Sequence, residues 1–191
     1  MNFLIISTPR SGSSSLQKSI SNYYNLKIIF EPYSPWGVQR KNYKMKNVVV
    51  KTIFHQIDNN YFNKLGDIQP DYFEKCFNFY SYLIPKFDKV ILLGRENVKE
   101  QAESMAALYA GNLYDVKYTY DLRVDITPIM NQLTIEHDYL KKLSEKFNIP
   151  FDTYESIYYG NGLKDKEIIL DTKIIDVENK LRQFDIKKNL I

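Results

Sequence analysis

Short apolar runs alternate along this chain with longer segments in which apolar residues recur every three to four positions. The short runs are rich in Val, Ile, Leu and Phe, which is typical of strands buried on both faces of a parallel sheet. They predict strands at residues 3–7, 27–31, 47–53, 89–94 and 150–154. The periodic segments have the spacing of amphipathic helices and predict them at residues 14–23, 70–84, 98–110 and 128–147.

The alternation of strands with helices predicts an α/β fold. We expect three layers in a P-loop-like arrangement, with a central, mostly parallel sheet flanked by helices and joined by right-handed crossovers. A chain of 191 residues is ample for one core but small for two, and its sequence contains no repeats. We therefore predict a single domain over residues 1–191, in which the tyrosine-rich segments 33–46 and 111–127 form binding loops.

Composition and charge restrict the partners. The content of 44% hydrophobic and 26% charged residues is ordinary for a soluble globular protein. A net charge of +3 without a basic run does not favour nucleic acid, but it suits a small polyanionic ligand in a locally positive site. Cys76 is the single cysteine, which excludes an internal disulfide. The N-terminal apolar run is too short for a signal peptide or a membrane anchor, so we expect a cytoplasmic protein.

The turn after the first predicted strand combines Pro and Gly with several serines and leads directly into a helix. The free N–H groups and the positive dipole end of a first helical turn bind anions. Arg10 adds a guanidinium to this turn, and Gly12 lets it bend sharply. Four hydroxyl donors accompany them, at Ser11, Ser13, Ser14 and Ser15. The turn therefore predicts a site for a phosphate-sized anion.

This turn differs from the Walker A loop of ATP-binding proteins. In the Walker sequence a Lys follows the second Gly and contacts the β- and γ-phosphates, whereas here Gly12 is followed by Ser13. No later predicted strand ends in an obvious Asp for magnesium, and the third strand ends in Lys51 and Thr52. The pattern predicts a phosphate group that is bound without a metal ion.

Residues Thr8 to Ser14 resemble the 5′-phosphosulfate loop of sulfotransferases that use 3′-phosphoadenosine-5′-phosphosulfate (PAPS), commonly P-[KR]-[ST]-G-[ST]-[ST]. The resemblance implies PAPS as sulfuryl donor and 3′,5′-adenosine bisphosphate (PAP) as product. It further implies that Arg10 contacts the oxygen between phosphate and sulfate, while the hydroxyls and backbone of residues 11–15 hold the 5′-phosphate. Because no N-terminal membrane anchor is expected, the chain resembles the soluble bacterial or phage-type members of this family.

Two later segments resemble the same family. Arg95 follows the fourth predicted strand and Ser104 lies on the next helix, and in the family an Arg and a Ser at these places bind the 3′-phosphate. Their separation is one residue longer than usual in the family, which predicts a one-residue bulge between them. Residues Tyr154 to Ile157 resemble the family's Y-E-[DS]-[LI] segment, whose Glu is generally structural.

Transfer to a hydroxyl requires a base and positive charge at the leaving oxygen. Glu31 is the first candidate base because it follows the second strand, and the carboxyl ends of parallel strands line the ligand crevice. Many bacterial and glycan-modifying sulfotransferases similarly use a Glu here. His55 is the alternative, because it resembles the base of the cytosolic Lys-Thr-His motif but lies two residues later, about 6 to 7 Å along a strand. Lys51 is a candidate for stabilising the transferred group.

The resemblance implies sulfuryl transfer from PAPS to an acceptor hydroxyl or amine, and the loop without a Walker lysine predicts that the transfer is independent of metal. The acceptor class stays open among a glycan, a tyrosine, a lipid and a small alcohol. Trp36, Tyr33, Tyr114, Tyr118 and Tyr120 are candidates for stacking against acceptor or adenine, and late basic residues such as Lys164, Lys166 and Arg182 for the 3′-phosphate. The alternatives are a divergent P-loop ATP-dependent kinase and a non-catalytic nucleotide-binding domain.

Overall fold

A computed structural model describes residues 1–34, 46–57, 68–109 and 125–158 of the chain. Its centre is a five-stranded sheet in the order β2-β3-β1-β4-β5, and every neighbouring pair of strands is parallel. The strands are β1 (Asn2–Ser7), β2 (Lys27–Phe30), β3 (Val48–Ile53), β4 (Lys89–Gly94) and β5 (Phe151–Thr153). The parallel sheet expected from the apolar runs is confirmed.

Helices connect the strands and cover the sheet. They are α1 (Ser13–Tyr24), α2 (Pro70–Leu83), α3 (Val98–Tyr109), α4 (Thr127–Phe147) and α5 (Tyr154–Tyr158), with a 3₁₀ turn at Ile84–Lys86. The four helices expected from the periodicity are confirmed, whereas α5 and the 3₁₀ turn were not expected. α3 is an uninterrupted α-helix, so the bulge expected between Arg95 and Ser104 does not lie within residues 98–104, and for residues 95–97 it stays a prediction.

The central strands β1, β3 and β4 bury side chains on both faces, whereas the edge strand β2 leaves Ile28 and Phe30 exposed. Leu4 and Ile6 of β1 belong to a core formed with α2 and α4, while Phe3 and Ile5 belong to a second core formed with α1. A third cluster, which includes Met105 and Leu133, joins α3 to α4. The three-layer α/β fold is therefore confirmed over the described residues.

The strand order places five chain segments side by side at the carboxyl edge of the sheet. The backbone N–H of Phe54 donates to the carbonyl of Ser7 at 2.8 Å, and that of Thr8 donates to Leu93 at 3.1 Å, so β1 ends between β3 and β4. The buried amide of Gln17 donates to the carbonyls of Ile29 and Val49, which fixes α1 against β2 and β3.

The single domain over 1–191 stays a prediction, because residues 159–191 lie outside the described part.

Candidate functional site

The turn between β1 and α1 has the geometry expected of an anion-binding loop. Gly12 is the N-cap of α1 and adopts the left-handed conformation with φ 76°, which favours glycine. The Ser11 hydroxyl is buried and donates to the Thr8 carbonyl at 2.8 Å, so it stabilises the turn internally. Ser14 and Ser15 are exposed in the first helical turn, where the leading backbone N–H groups of a helix lack intrahelical partners. The sequence-predicted loop is thus brought together as a structural unit.

Lys51 and Glu31 form an ion pair directly beside this loop. The Nζ atom of Lys51 lies 2.6 Å from Oε1 of Glu31 and 3.1 Å from Oγ of Ser14. Both charged side chains are largely buried, with 4% and 17% exposure. The arrangement combines a cation, a carboxylate and a helix N-terminus within one contact network, although the three residues come from three separate segments.

The environment of Lys51 shifts the pKa of its ammonium group through opposing effects. Burial lowers the pKa of the Lys51 ammonium, the charge and hydrogen bond of Glu31 oppose this, and the positive charge of Arg10 lowers it further. The ammonium also lies 4.0 Å from the ring centroid of Phe30, which contributes a cation–π contact. An incoming anion would relieve the cost of burying this positive charge.

Arg10 and Ser104, which were assigned to different parts of the ligand, contact each other. Nε of Arg10 donates to Oγ of Ser104 at 3.0 Å, and this exposed hydrogen bond joins the loop after β1 to α3. Arg10 has φ 57°, an uncommon conformation for a non-glycine residue, which turns its side chain toward α3. The guanidinium therefore borders the loop and keeps further N–H donors for a ligand.

Arg95 contacts two carboxylates. Its Nη2 atom lies 2.8 Å from Oε2 of Glu100, and its Nε atom lies 3.5 Å from Oε1 of Glu155, while the guanidinium stacks 5.0 Å from the Tyr154 ring centroid. At 3.5 Å the Nε contact is electrostatic, and this buried atom has no hydrogen-bond partner. Glu155 also accepts the backbone N–H groups of Glu96 and Asn97, which makes it structural.

His55 lies in a different buried cluster from Glu31. Its Nδ1 atom is 2.8 Å from Oε1 of Glu136 on α4, and the same oxygen accepts the side-chain N–H of Gln132 at 2.8 Å. Glu136 is fully buried, and its Oε2 atom has no hydrogen-bond partner. His55 therefore stays a candidate base, paired with a carboxylate that the sequence did not single out.

A second polar cluster contacts the loop after β1, and no sequence pattern had indicated it. The side-chain N–H groups of Gln101 donate to Oγ1 of Thr8 at 2.8 Å and to the carbonyl of Pro9. Nε2 of His137 lies 3.5 Å from Oγ1 of Thr8 and accepts the backbone N–H of Arg95 at 3.4 Å. Gln101 and His137 occur in unremarkable helical segments, so no local signal identified them. The cluster joins the loop after β1 to the loop after β4.

We expect His137 to make folding stability fall at acidic pH. Burial lowers the pKa of His137, with Glu136 opposing and Lys141 assisting this shift. Between the lowered pKa and the ordinary value of about 6.5, the unfolded chain binds a proton that the folded chain does not, so stability decreases as the pH falls through this window. Urea unfolding between pH 8 and pH 5 should show this decrease, and His137→Gln should reduce it. An unchanged slope in the variant would contradict this role of His137.

Several candidate binding residues suggested by the sequence are not placed in this site. Trp36, the three loop tyrosines at 114, 118 and 120, and the late basic residues 164, 166 and 182 lie outside the described residues. Within the described ranges, no group of three or more His, Cys, Asp or Glu side chains is arranged to hold a metal ion. Among the same residues, no helix has the length and apolar character needed to cross a bilayer.

Comparisons with known proteins give a distant structural similarity. No protein-family model and no curated protein sequence matches the chain. The fold is similar to a solved structure of deoxyadenosine kinase from M. mycoides with bound dATP, with a TM-score of 0.47 and 15% sequence identity. The alignment covers 95% of this chain and 100% of the kinase chain.

Proposed function

We propose that this chain is a nucleotide-dependent group transferase, with PAPS as the donor and an acceptor hydroxyl as the recipient of the sulfuryl group. The observation that carries the proposal is the network of Lys51, Glu31 and Ser14 at the N-terminus of α1. It combines an anion cradle, a buried cation and a carboxylate, which are the elements that metal-independent transfer requires.

The residues fit a bound PAPS at the loop. The backbone of residues 11–15 and the exposed hydroxyls of Ser14 and Ser15 would hold the 5′-phosphate, and Arg95 would bind the 3′-phosphate by exchanging its contacts with Glu100 and Glu155. When bound, PAPS supplies a sulfuryl group whose transfer forms an S–O bond to the acceptor, breaks the S–O bond to the 5′-phosphate and leaves PAP.

Four residues of the chain would then have separate roles in the transfer. Glu31 would accept the proton of the acceptor hydroxyl, because its carboxylate is held in place by Lys51 at the carboxyl edge of the sheet. Arg10 and Lys51 would place positive charge beside the loop, where negative charge develops on the departing phosphate. Ser104 would orient Arg10 through the hydrogen bond to its Nε atom.

The contacts of Arg95 favour a second candidate, ATP-dependent phosphoryl transfer. Two carboxylates already contact this guanidinium, so the cluster of Arg95, Glu100 and Glu155 carries a formal net charge of −1. Such a cluster opposes a 3′-phosphate and tolerates a free ribose 3′-hydroxyl. Lys51 would here supply the ammonium that the loop itself lacks.

Calorimetric titration separates these candidates. PAP would be titrated in EDTA, with ATP plus Mg²⁺ in parallel. Metal-independent binding of PAP that is weakened by Arg95→Ala would support the PAPS proposal, whereas binding of Mg·ATP alone would replace it with the kinase. If PAP binds but no acceptor pool is sulfated, a non-catalytic nucleotide-binding domain becomes the better account.

We expect Glu100→Gln to strengthen PAP binding if Arg95 holds the 3′-phosphate. The variant removes the carboxylate 2.8 Å from the guanidinium, and a half-exposed ion pair of this kind corresponds to about a 2- to 5-fold change in affinity. Glu103→Gln on the same helix is the matched control for the loss of one negative charge. Weaker PAP binding in Glu100→Gln than in the control would show that Arg95 does not serve the 3′-phosphate.

A further inference from the structure

The short helix α5 packs against the anion-binding loop, although it lies more than a hundred residues later in the chain. The hydroxyl of Tyr158 donates to the carbonyl oxygen of Gly12 at 3.0 Å. The rings of Tyr154 and Tyr158 lie side by side, with centroids 4.6 Å apart. A Cβ atom added to Gly12 would meet the Tyr154 ring at 2.6 Å, so the two tyrosines fill the space over this glycine.

The carbonyl of Gly12 is the point at which the loop becomes a helix. It accepts the backbone N–H groups of Ser15 at 3.1 Å and Leu16 at 3.2 Å, which are the first bonds of α1. The Tyr158 hydroxyl is its third donor. Three donors on one carbonyl restrict rotation of the peptide between Gly12 and Ser13, and this rotation sets where the first N–H groups of the helix point.

Tyr158 is suited to act as a permanent donor. Its side chain is buried, and burial raises the pKa of its phenol, so the hydroxyl keeps its proton at neutral pH. Tyr154 connects the same helix to the other side of the site, because its ring stacks on the guanidinium of Arg95. Through these two residues α5 contacts both the loop after β1 and the loop after β4.

We propose that Tyr158 is a positioning residue of the anion site: its hydroxyl holds the Gly12 carbonyl so that the first turn of α1 keeps its N–H groups aimed at the bound phosphate. The inference rests on the proposed function in that it takes the loop to be the phosphate site. Tyr158 follows the segment Tyr154 to Ile157 that resembles the sulfotransferase family, and it would not contact the ligand itself.

The test compares Tyr158→Phe with the wild-type chain in two measurements. The first is the affinity for inorganic pyrophosphate by calorimetry, and the second is amide hydrogen exchange of Ser15 and Leu16. Tyr80→Phe is the matched control, because its buried phenol also donates to a backbone carbonyl, that of Ile53 at 2.9 Å, in the core on the opposite face of the sheet from α1. We expect Tyr158→Phe to weaken pyrophosphate binding and to accelerate both amides by about 3- to 10-fold, as one lost hydrogen bond implies.

The control separates local positioning from general stability. Tyr80→Phe should lower Tm while leaving pyrophosphate affinity unchanged and accelerating the exchange of neither amide. Equal affinity and equal exchange in Tyr158→Phe and wild type would overturn the inference, as would equal weakening in both variants. A wild-type chain that does not bind pyrophosphate would overturn the proposed function, and the exchange of Ser15 and Leu16 would then still decide whether Tyr158 holds the turn.

Discussion

Glu31→Gln is expected to lower turnover about 10³-fold while PAP binding stays nearly intact, because a positioned general base contributes about 10² to 10⁴. The amide keeps the size of the carboxylate 2.6 Å from Lys51 but cannot accept the acceptor's proton. Turnover is measured as release of PAP from PAPS with a pool of acceptors. Retained activity in this variant, with loss in His55→Ala instead, would assign the base to His55 and its partner Glu136.

The same substitution should also destabilise the fold. It leaves the Lys51 ammonium, which is 4% exposed, without its counter-charge, and breaking a buried pair in this way costs about 3 kcal/mol. The double variant Glu31→Gln with Lys51→Met removes both charges and should recover most of this loss. Urea unfolding of the two single variants and the double variant measures the coupling. Additive losses would show that the pair does not contribute as a unit.

Gly12→Ala is expected to destabilise the protein by about 3 kcal/mol and to abolish measurable pyrophosphate binding. Two separate effects contribute to the loss of folding stability at this position. An alanine is strained at φ 76°, and its Cβ atom would lie 2.6 Å from Cδ2 of the Tyr154 ring. Either the ring or the loop must move, and movement of the loop displaces the N–H groups of the first turn of α1.

A second background separates the two costs of Gly12→Ala. Tyr154→Ala removes the ring that the new Cβ atom would meet, but leaves the backbone strain in place. Gly12→Ala should therefore cost less in the Tyr154→Ala background than in the wild-type background. Identical costs in the two backgrounds, measured by urea unfolding, would show that the Tyr154 ring does not lie over Gly12 in solution.

Much of the fold could be predicted because its elements leave local signals. The runs around Val49 and Ile91 are apolar on both faces and bounded by polar turns, and the observed strands match the predicted ones to within one residue at each end. The candidate residues at strand ends also gathered as expected, because the carboxyl ends of parallel strands meet at one edge. Glu31 and Lys51 are the clearest case, since β2 and β3 are neighbours with Phe30 in register with Lys51.

The contacts between distant segments could not be predicted in this way. The pairing of Arg95 with Glu155 depends on β5 lying beside β4, and the pairing of His55 with Glu136 depends on how α4 packs on the sheet. Arg10 contacts Ser104 because its positive φ turns the side chain, and no sequence pattern reports that angle.

The central claim is that nucleotide phosphates bind the loop at the N-terminus of α1. Titration of PAP in EDTA into the ¹⁵N-labelled chain, followed by amide NMR, tests it residue by residue. The account predicts the largest shifts at Gly12 and Ser13 to Ser15, with further shifts at Arg95, and their loss in Gly12→Ala. Saturable shifts confined to other parts of the chain, or no shifts at millimolar PAP, would contradict it.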